Sequence, residues 1–293
     1  MVFTDILTEN LLKFLDEDNN LCVRRQNTMT KVKQITTAIE EFAPPSLAAD
    51  GDNVGLLVGD FEQTVERVLV CLDATSEAVA EAIEFGADLI VAHHPNFYKP
   101  LKRVVEQDVN GRIARTLIKN DISLFAAHTN FDYAPGGINT MLASSLELKN
   151  TRAFTDEENV DEHGKYIRYC ALVSETEPTT LGEFVKFVQK KLNVVGLKWA
   201  GDPNLQVEKV VTAPGMGGGT LWAAHNLGAQ VLVAGDINHH TAQLAIELGM
   251  GIIDAGHFET EAMFSGFMLE FLSEKFPTVE VKSVNARSFF REV

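Results

Sequence analysis

Three short segments carry the side chains best suited to chemistry in this 293-residue chain: His93-His94-Pro95, His128 to Asp132, and Gly256 to Glu261. Each follows an apolar run that is typical of a buried parallel strand, at residues 89–92, 124–127 and 252–253. Open α/β sheets bind ligands at the carboxyl ends of their strands. We therefore predict that these segments meet in one site.

Imidazoles and carboxylates in these segments are ligands for divalent metals. The five candidates are His93, His94, Asp132, His257 and Glu261. A single tetrahedral site needs about four ligands, so five from three strand ends favour two metals. The ligand types do not distinguish zinc, iron, manganese, nickel and magnesium. The first hypothesis is a two-metal hydrolase.

Glu261 is the candidate that we expect to bridge the two metals. It lies four residues after His257, so the two side chains share one face if the helix has begun by His257. The alternative is helix capping, in which Glu259 or Glu261 favours the helix N-terminus. A carboxylate has two oxygens and can contact two cations, and both interpretations can hold together.

Two further histidines are candidates for proton transfer. His128 could orient a ligand or act as a general acid–base, and a hydrogen-bonded core histidine is an equal alternative. His240 follows the strand end at Gly235-Asp236 and could face the cleft. Capping of the next helix by Asn238 is the competing explanation for that segment.

A glycine-rich loop at 215–219 joins a strand to a helix. It lacks the last glycine of G-x-G-x-x-G and the lysine of a P-loop, so neither nucleotide motif is present. Its backbone N–H groups could still bind a phosphate, through Gly217, Gly218 and Gly219. A simple tight turn is an equal alternative.

Composition narrows the class of partner. The chain has 25 Lys and Arg against 41 Asp and Glu, a net charge of −16, which disfavours binding to a nucleic-acid backbone. A small molecule or nucleotide is the expected substrate. Three cysteines without a C-x-x-C indicate a reducing compartment. No apolar run approaches a membrane span, so we expect a cytoplasmic protein, with nucleus and mitochondrion as alternatives.

Helices and strands are predicted to alternate, as in βαβ units. The predicted strands are 67–72, 88–92, 122–127, 167–174, 207–213, 230–234 and 251–254. The predicted helices are 30–42, 76–86, 110–120, 137–146, 180–192, 219–227, 240–248 and 259–274. This pattern indicates an α/β fold with mostly parallel sheets flanked by helices.

The chain also repeats itself, since residues 82–92 read closely against residues 224–234. Two related halves, 29–150 and 151–293, would form one compact unit with the metal site in the cleft between them. The alternative is that any helix–glycine–strand unit looks alike. Residues 1–28 form an N-terminal extension, in which the apolar residues from Phe3 to Leu15 could make a helix.

Taken together, these motifs resemble the NIF-three-like family, also labelled GTP cyclohydrolase I type 2 homologues. The resemblance covers residues 29–293 and rests on motifs in collinear order: 52–59, 93–95, 128–132, 217–219, 235–240 and 256–261. It implies an α/β fold of two related halves, two divalent metals held by the five candidate ligands, and a toroidal homohexamer. The middle segment is too short for the inserted domain of some bacterial members, so the compact form is expected.

The resemblance indicates the metals more firmly than the substrate. If the cyclohydrolase label applies, a metal-bridging water attacks a purine C8 and ring opening releases formate; otherwise a phosphoester is the natural substrate. The rival function is a non-catalytic scaffold in which metals stabilise the fold. Its surface would bind protein partners such as transcriptional regulators, as described for eukaryotic members.

Overall fold

The computed structural model of the protein describes residues 11–15, 21–25, 29–155, 157–164, 171–285 and 287–291. The strands in these ranges are β1 Leu11–Leu15, β2 Leu21–Arg25, β3 Gly55–Val58, β4 Arg67–Asp73, β5 Leu89–His94, β6 Ser123–Ala126, β7 Lys149–Ala153, β8 Leu172–Thr180, β9 Lys198–Ala200, β10 Gln206–Ala213, β11 Val231–Ala234, β12 Gly251–Asp254 and β13 Glu280–Ser283.

The α-helices in the same ranges are α1 Val32–Phe42, α2 Ser76–Phe85, α3 Val109–Lys119, α4 Thr129–Tyr133, α5 Ile138–Ser145, α6 Leu181–Leu192, α7 Leu221–Asn226, α8 His239–Glu247, α9 His257–Glu261 and α10 Met263–Lys275. Short 3₁₀ turns occupy Pro45–Leu47 and Gly217–Thr220. In the described part of the chain, no helix is both long enough and apolar enough to cross a membrane.

Two main sheets organise the fold, and the predicted α/β class is confirmed. The first has the strand order β13-β4-β5-β6-β3, and all its neighbours are parallel except β3 and β6. The second has the order β7-β8-β10-β11-β12-β9. Only its central strands β10, β11 and β12 are parallel, and the other pairings are antiparallel.

Helices cover both faces of each sheet, which explains the unbroken apolar runs in the central strands. Along β4, Val68 and Val70 enter one core while Leu69 and Cys71 enter the core on the opposite face. In β11 the residues divide between two further cores in the same alternating way. Side chains alternate across a strand, so a strand covered on both faces must be apolar at every position.

The end of the chain returns to the first sheet. β13 pairs in parallel with β4, and Phe264, Met268 and Leu272 of α10 are buried in the first-sheet core. The last helix and strand of the second predicted half, 151–293, therefore lie on the first sheet, and the division into halves 29–150 and 151–293 stays a prediction. Helix α10 lies on the first sheet because its apolar face finds its partners beside β4.

In the two main sheets, four short strands were not predicted: β3, β7, β9 and β13. Each lies at the edge of its sheet, where one side needs no partner and the apolar signal is weak. The predicted strand 167–174 begins in the described residues only at Leu172, and residues 167–170 lie outside them. The predicted helix 259–274 is two helices, α9 and α10, that meet at Ala262.

The helix predicted within the N-terminal extension is wrong for residues 11–15. These residues form β1, which pairs antiparallel with β2. Five residues are too few for their periodicity to distinguish a helix from a strand, which explains the error. Residues 3–10 lie outside the described part of the chain.

The repeated segments have matching structures. Residues 82–92 contain the end of α2 and β5, and residues 224–234 contain the end of α7 and β11. Gly86 and Gly228 join helix to strand with φ of +71° and +69°, a left-handed conformation that favours glycine. The sequence repeat therefore reflects the same local helix–glycine–strand structure. Two related halves would contain this structure twice, and so would two unrelated units of this kind.

Docking of α10 on the first sheet can be tested by shortening one side chain. Met268 is fully buried, whereas Glu270 is exposed on the same helix. We expect Met268→Ala to lower the free energy of unfolding by about 3 kcal/mol, because it leaves a cavity in the core. Glu270→Ala, the matched control, should change it by less than about 0.5 kcal/mol. Urea unfolding measures both, and equal effects would contradict the packing.

Candidate metal centre

The three predicted segments do meet, at strand ends from both sheets. His93 and His94 end β5, His128 precedes α4 just beyond β6, and His257 and Glu261 lie on α9 just beyond β12. The helix has begun at His257, so the four-residue spacing places Glu261 on the same face, as predicted.

Glu261 lies at the middle of the arrangement. Its Oε2 atom is 3.0 Å from His94 Nε2, 3.1 Å from His257 Nε2 and 3.8 Å from His93 Nε2. Asp132 approaches from α4, with its Oδ1 atom 3.6 Å from His93 Nε2. All five predicted metal ligands are thus brought into one neighbourhood.

Two of these atoms, His93 Nε2 and Asp132 Oδ1, are buried without a hydrogen-bond partner among the described residues. Glu261 Oε2 is also buried without a well-aligned hydrogen bond, although two ring nitrogens lie 3.0 and 3.1 Å from it. Buried polar atoms normally have partners, because an unpaired one costs about 1–3 kcal/mol. Lone pairs that converge from imidazole and carboxylate are the donors that borderline divalent metals prefer. The residues present therefore fit a metal ion.

Each imidazole has its Nδ1 atom held by a separate acceptor. The contacts are His93 with the Ala127 carbonyl at 2.8 Å, His94 with Asp73 at 2.9 Å, His128 with Asp52 at 2.9 Å and His257 with Asp236 at 2.7 Å. An Nδ1–H that donates to such a group leaves the Nε2 lone pair available to a metal and fixes the ring.

Sequence reasoning gave no role to the three carboxylates that hold imidazoles. A signal was present for Asp73, because it ends β4 beside β5, at the same sheet edge as His94. Asp236 follows the end of β11 and takes a left-handed φ of +52°, which is uncommon for a residue other than glycine. Asp52 lies 76 residues before His128, so spacing along the chain could not link them.

His128 lies among the candidate metal ligands, although the sequence predicted only a role in orienting a ligand or in proton transfer. Two groups of residues could each hold a metal, with ligand atoms within 4.8 Å of one another: His93, His94 and His128, and His94, His257 and Glu261. The carboxylate of Asp52, which holds His128, also contacts the hydroxyl of Thr129 and accepts a 3.2 Å hydrogen bond from its backbone N–H. His128 is therefore rigidly placed beside the candidate ligands.

The pKa values of the imidazoles are shifted in different directions. Burial lowers the pKa of His93 to about 3. Burial also lowers the pKa of His94, but Asp73 and Glu261 outweigh it and raise the pKa to about 10. Contact with Glu261 is the main reason that the pKa of His257 rises to about 9. Proximity to carboxylates thus favours positive charge on His94 and His257.

The pKa values of the two buried carboxylates are also shifted in opposite directions. Burial raises the pKa of Asp132 well above its usual value, and the charge of Glu261 adds to the effect. Burial would raise the pKa of Glu261 as well, but His257 and His94 outweigh it and lower the pKa. Two buried carboxylates so close together cannot both ionise easily, and a cation between them would remove that conflict.

Glycines bring the backbone close to the site. A Cβ atom on Gly215 would lie 2.2 Å from Glu261 Oε1, and one on Gly235 would lie 2.6 Å from the backbone nitrogen of His257. In the predicted phosphate loop, a Cβ on Gly217 would lie 2.5 Å from that of Ala213. Close packing thus explains Gly217, and phosphate binding by Gly217, Gly218 and Gly219 stays a prediction.

His240 belongs to neither of the two groups that could hold a metal. It lies exposed in the first turn of α8, and its ring contacts that of His239 at 5.4 Å. The side chain of Asn238 accepts hydrogen bonds from the backbone N–H groups of His240 and Thr241, so the capping explanation for this segment is confirmed. A catalytic role for His240 stays a prediction.

Comparisons with known proteins agree on one family. The sequence profile of Duf34/NIF3 (NGG1p interacting factor 3) matches residues 30–288. A Clostridium perfringens protein named GTP cyclohydrolase 1 type 2 homolog is 36% identical over 231 residues, which cover 79% of this chain and 87% of that protein. A Streptomyces coelicolor protein of the same name is 33% identical over 80% of this chain and 82% of its own length.

Solved structures share the fold. The crystal structure of a Bacillus cereus protein related to NIF3 aligns with a TM-score of 0.81 and 26% identity. The alignment covers 90% of this chain and 99% of that protein.

Gly215 provides a test of the site that spares every candidate ligand. We expect Gly215→Ala to displace the Glu261 carboxylate and to lower metal affinity at least about tenfold, as losses of ligand-orienting contacts do. Gly249→Ala is the control, because Gly249 has a similar φ, +69° against +59°, with nothing within 4 Å of its Cβ position. Titration with zinc or manganese would measure both, and equal affinities would show that Glu261 does not need its present position.

Proposed function

Because the chain belongs to the Duf34/NIF3 family, we propose that it is a metal-dependent hydrolase with two divalent cations. The proposed substrate is a nucleotide-like molecule or a phosphoester. The observation that carries the proposal is the convergence of five buried or half-buried donors, three of them with atoms that lack a well-aligned hydrogen bond, from strand ends of two sheets. The names of the relatives, GTP cyclohydrolase 1 type 2 homolog, agree with it.

The contacts support the following division of the ligands between two cations. With Nδ1 engaged by Asp73, the His94 imidazole has one lone pair and can serve one cation only. One cation would be held by His94, His257 and Glu261. The other would be held by His93 and Asp132, with Glu261 shared between them. Divalent cations bound there would acidify water and stabilise negative charge on the attacked group.

His128 is the residue that we propose to move a proton. Its Nδ1 is hydrogen-bonded to Asp52, whose side chain is almost fully buried, while its ring lies 5.3 Å from that of His93 and 5.5 Å from that of His94. Burial opposes the charge of Asp52, but His128 and Thr129 outweigh it and lower the pKa of Asp52 to about 2. An ionised Asp52 would accept a hydrogen bond from His128 Nδ1–H and fix the orientation of the ring, as a positioned acid–base group requires.

The oligomeric state and the cellular location are part of the same proposal. We propose assembly into a homohexamer, which the resemblance implies, and a cytoplasmic location, which is expected from the sequence. A scaffold that binds protein partners remains the rival, and measurements of metal content and turnover separate the two functions.

Glu261 provides the main test. We expect about two metals per chain in protein purified without chelators, and loss of both in Glu261→Ala, because this carboxylate contacts ligands of each proposed cation. Hydrolysis of GTP, other nucleotides and phosphoesters should be lost with the metals. Glu259→Ala, on the same turn of α9, is the control and should keep both. Full turnover in Glu261→Ala would contradict the mechanism, and two metals without any turnover would favour the scaffold.

His128 can be tested apart from metal binding. We expect His128→Asn to keep both metals and to lower kcat about 10²–10⁴-fold, the usual contribution of a general acid–base group. Asp52→Asn should give a smaller decrease, because the imidazole remains. Plasma mass spectrometry and steady-state kinetics would measure the two quantities. Loss of a metal in His128→Asn would show instead that His128 is a ligand, as its grouping with His93 and His94 allows.

A further inference from the structure

The segment that leaves β5 carries an unusual concentration of positive charge. We call residues 98–103, Tyr98 to Arg103, the basic loop. It holds Lys99, Lys102 and Arg103, all exposed, in a chain whose acids exceed its bases by 41 to 25. None of the three side chains forms an ion pair or hydrogen bond with another described residue. By contrast, Lys31, Arg115 and Lys149 elsewhere on the surface are each paired with a glutamate.

The start of the basic loop is fixed beside the candidate metal centre. Phe97 is buried, and its carbonyl accepts a 2.7 Å hydrogen bond from the Asn53 side chain, next to Asp52. The ring of Tyr98 lies 6.5 Å from that of His128 and is edge-on to it, at 90°. Tyr98 is still 54% exposed, so this part of the loop forms a rim that a ligand can reach.

The end of the loop is fixed as well. A Cβ atom on Gly111 of α3 would lie 2.9 Å from the Arg103 carbonyl and 2.9 Å from the Val105 nitrogen. The backbone after the loop therefore packs directly on α3. Because the backbone is held at both ends, ordering the loop that carries the three cations has a smaller entropic cost than ordering a free terminus.

The charges favour a phosphorylated ligand. Divalent cations held by Asp132, Glu261 and the imidazoles would offer coordination positions to phosphate oxygens. Lysine and arginine beside such a centre are the usual side-chain ligands of phosphate. The glycine loop offers less space, since Gly217 packs against Ala213 and the following helix α7 has only six residues.

We propose that the basic loop binds the phosphate groups of a small phosphorylated ligand and directs it to the metal centre through Lys99, Lys102 and Arg103. This inference rests on the proposed function, because it assigns the substrate class of the same site. It also gives the exposed cations a role that neither helix stability nor ion pairing provides.

The test is calorimetric titration of the full chain with inorganic tripolyphosphate, in metal-loaded and chelator-treated forms. We expect the triple variant Lys99→Ala, Lys102→Ala, Arg103→Ala to bind about tenfold more weakly, as loss of three exposed charge contacts implies. The affinity should also depend less on salt concentration. The control removes three exposed lysines from α3 and α6: Lys119→Ala, Lys186→Ala, Lys190→Ala. It should bind like the wild type.

The outcomes separate this inference from the proposed function. Equal affinities in the triple variant and the wild type, or no binding by the wild type, would overturn the role of the loop. Metal content and turnover are measured on the same samples and judge the hydrolase proposal independently. Unchanged metal content and thermal unfolding in the triple variant would show that a weaker affinity does not come from misfolding.

Discussion

The neutralisation of buried carboxylates is the constraint on which the rest of this structure depends. Glu261 and Asp132 lie almost out of contact with water, a few ångströms from three imidazoles. A carboxylate in such a place is stable only when positive charge faces it, from protons on the rings or from metal ions. This positive charge is kept in position by the imidazoles, their hydrogen-bond acceptors and the close-packed glycines together.

The fold makes this arrangement possible by bringing several strand ends to one place. Parallel strands covered on both faces are mostly apolar, so the imidazoles and carboxylates of this site appear where the strands end. His94 ends β5, and Asp73 ends the neighbouring strand β4, so imidazole and acceptor follow from the register of one sheet. The second sheet repeats the arrangement through Asp236 and His257, which follow the ends of β11 and β12.

Sequence patterns predicted the central part of this fold well and its margins poorly. The strands that hold the site contain short, continuous apolar runs, and the histidines that end or follow them were visible without any knowledge of the fold. Edge strands such as β9 carry a weak signal, because half of their surroundings is solvent. The same limit applies to contacts between distant residues: nothing local to Asp52 indicates that it holds His128, and nothing in α10 indicates which sheet it joins.

The junction of α9 and α10 couples the unfolding of the two sheets. Glu261 ends α9, which continues from the second sheet, and α10 begins two residues later and is buried in the core of the first. A ligand held by Glu261 therefore gains its free energy only while both cores are intact. By linkage, that free energy is added to the stability of both at once. Binding at the centre would thus make the two sheets unfold as one cooperative unit.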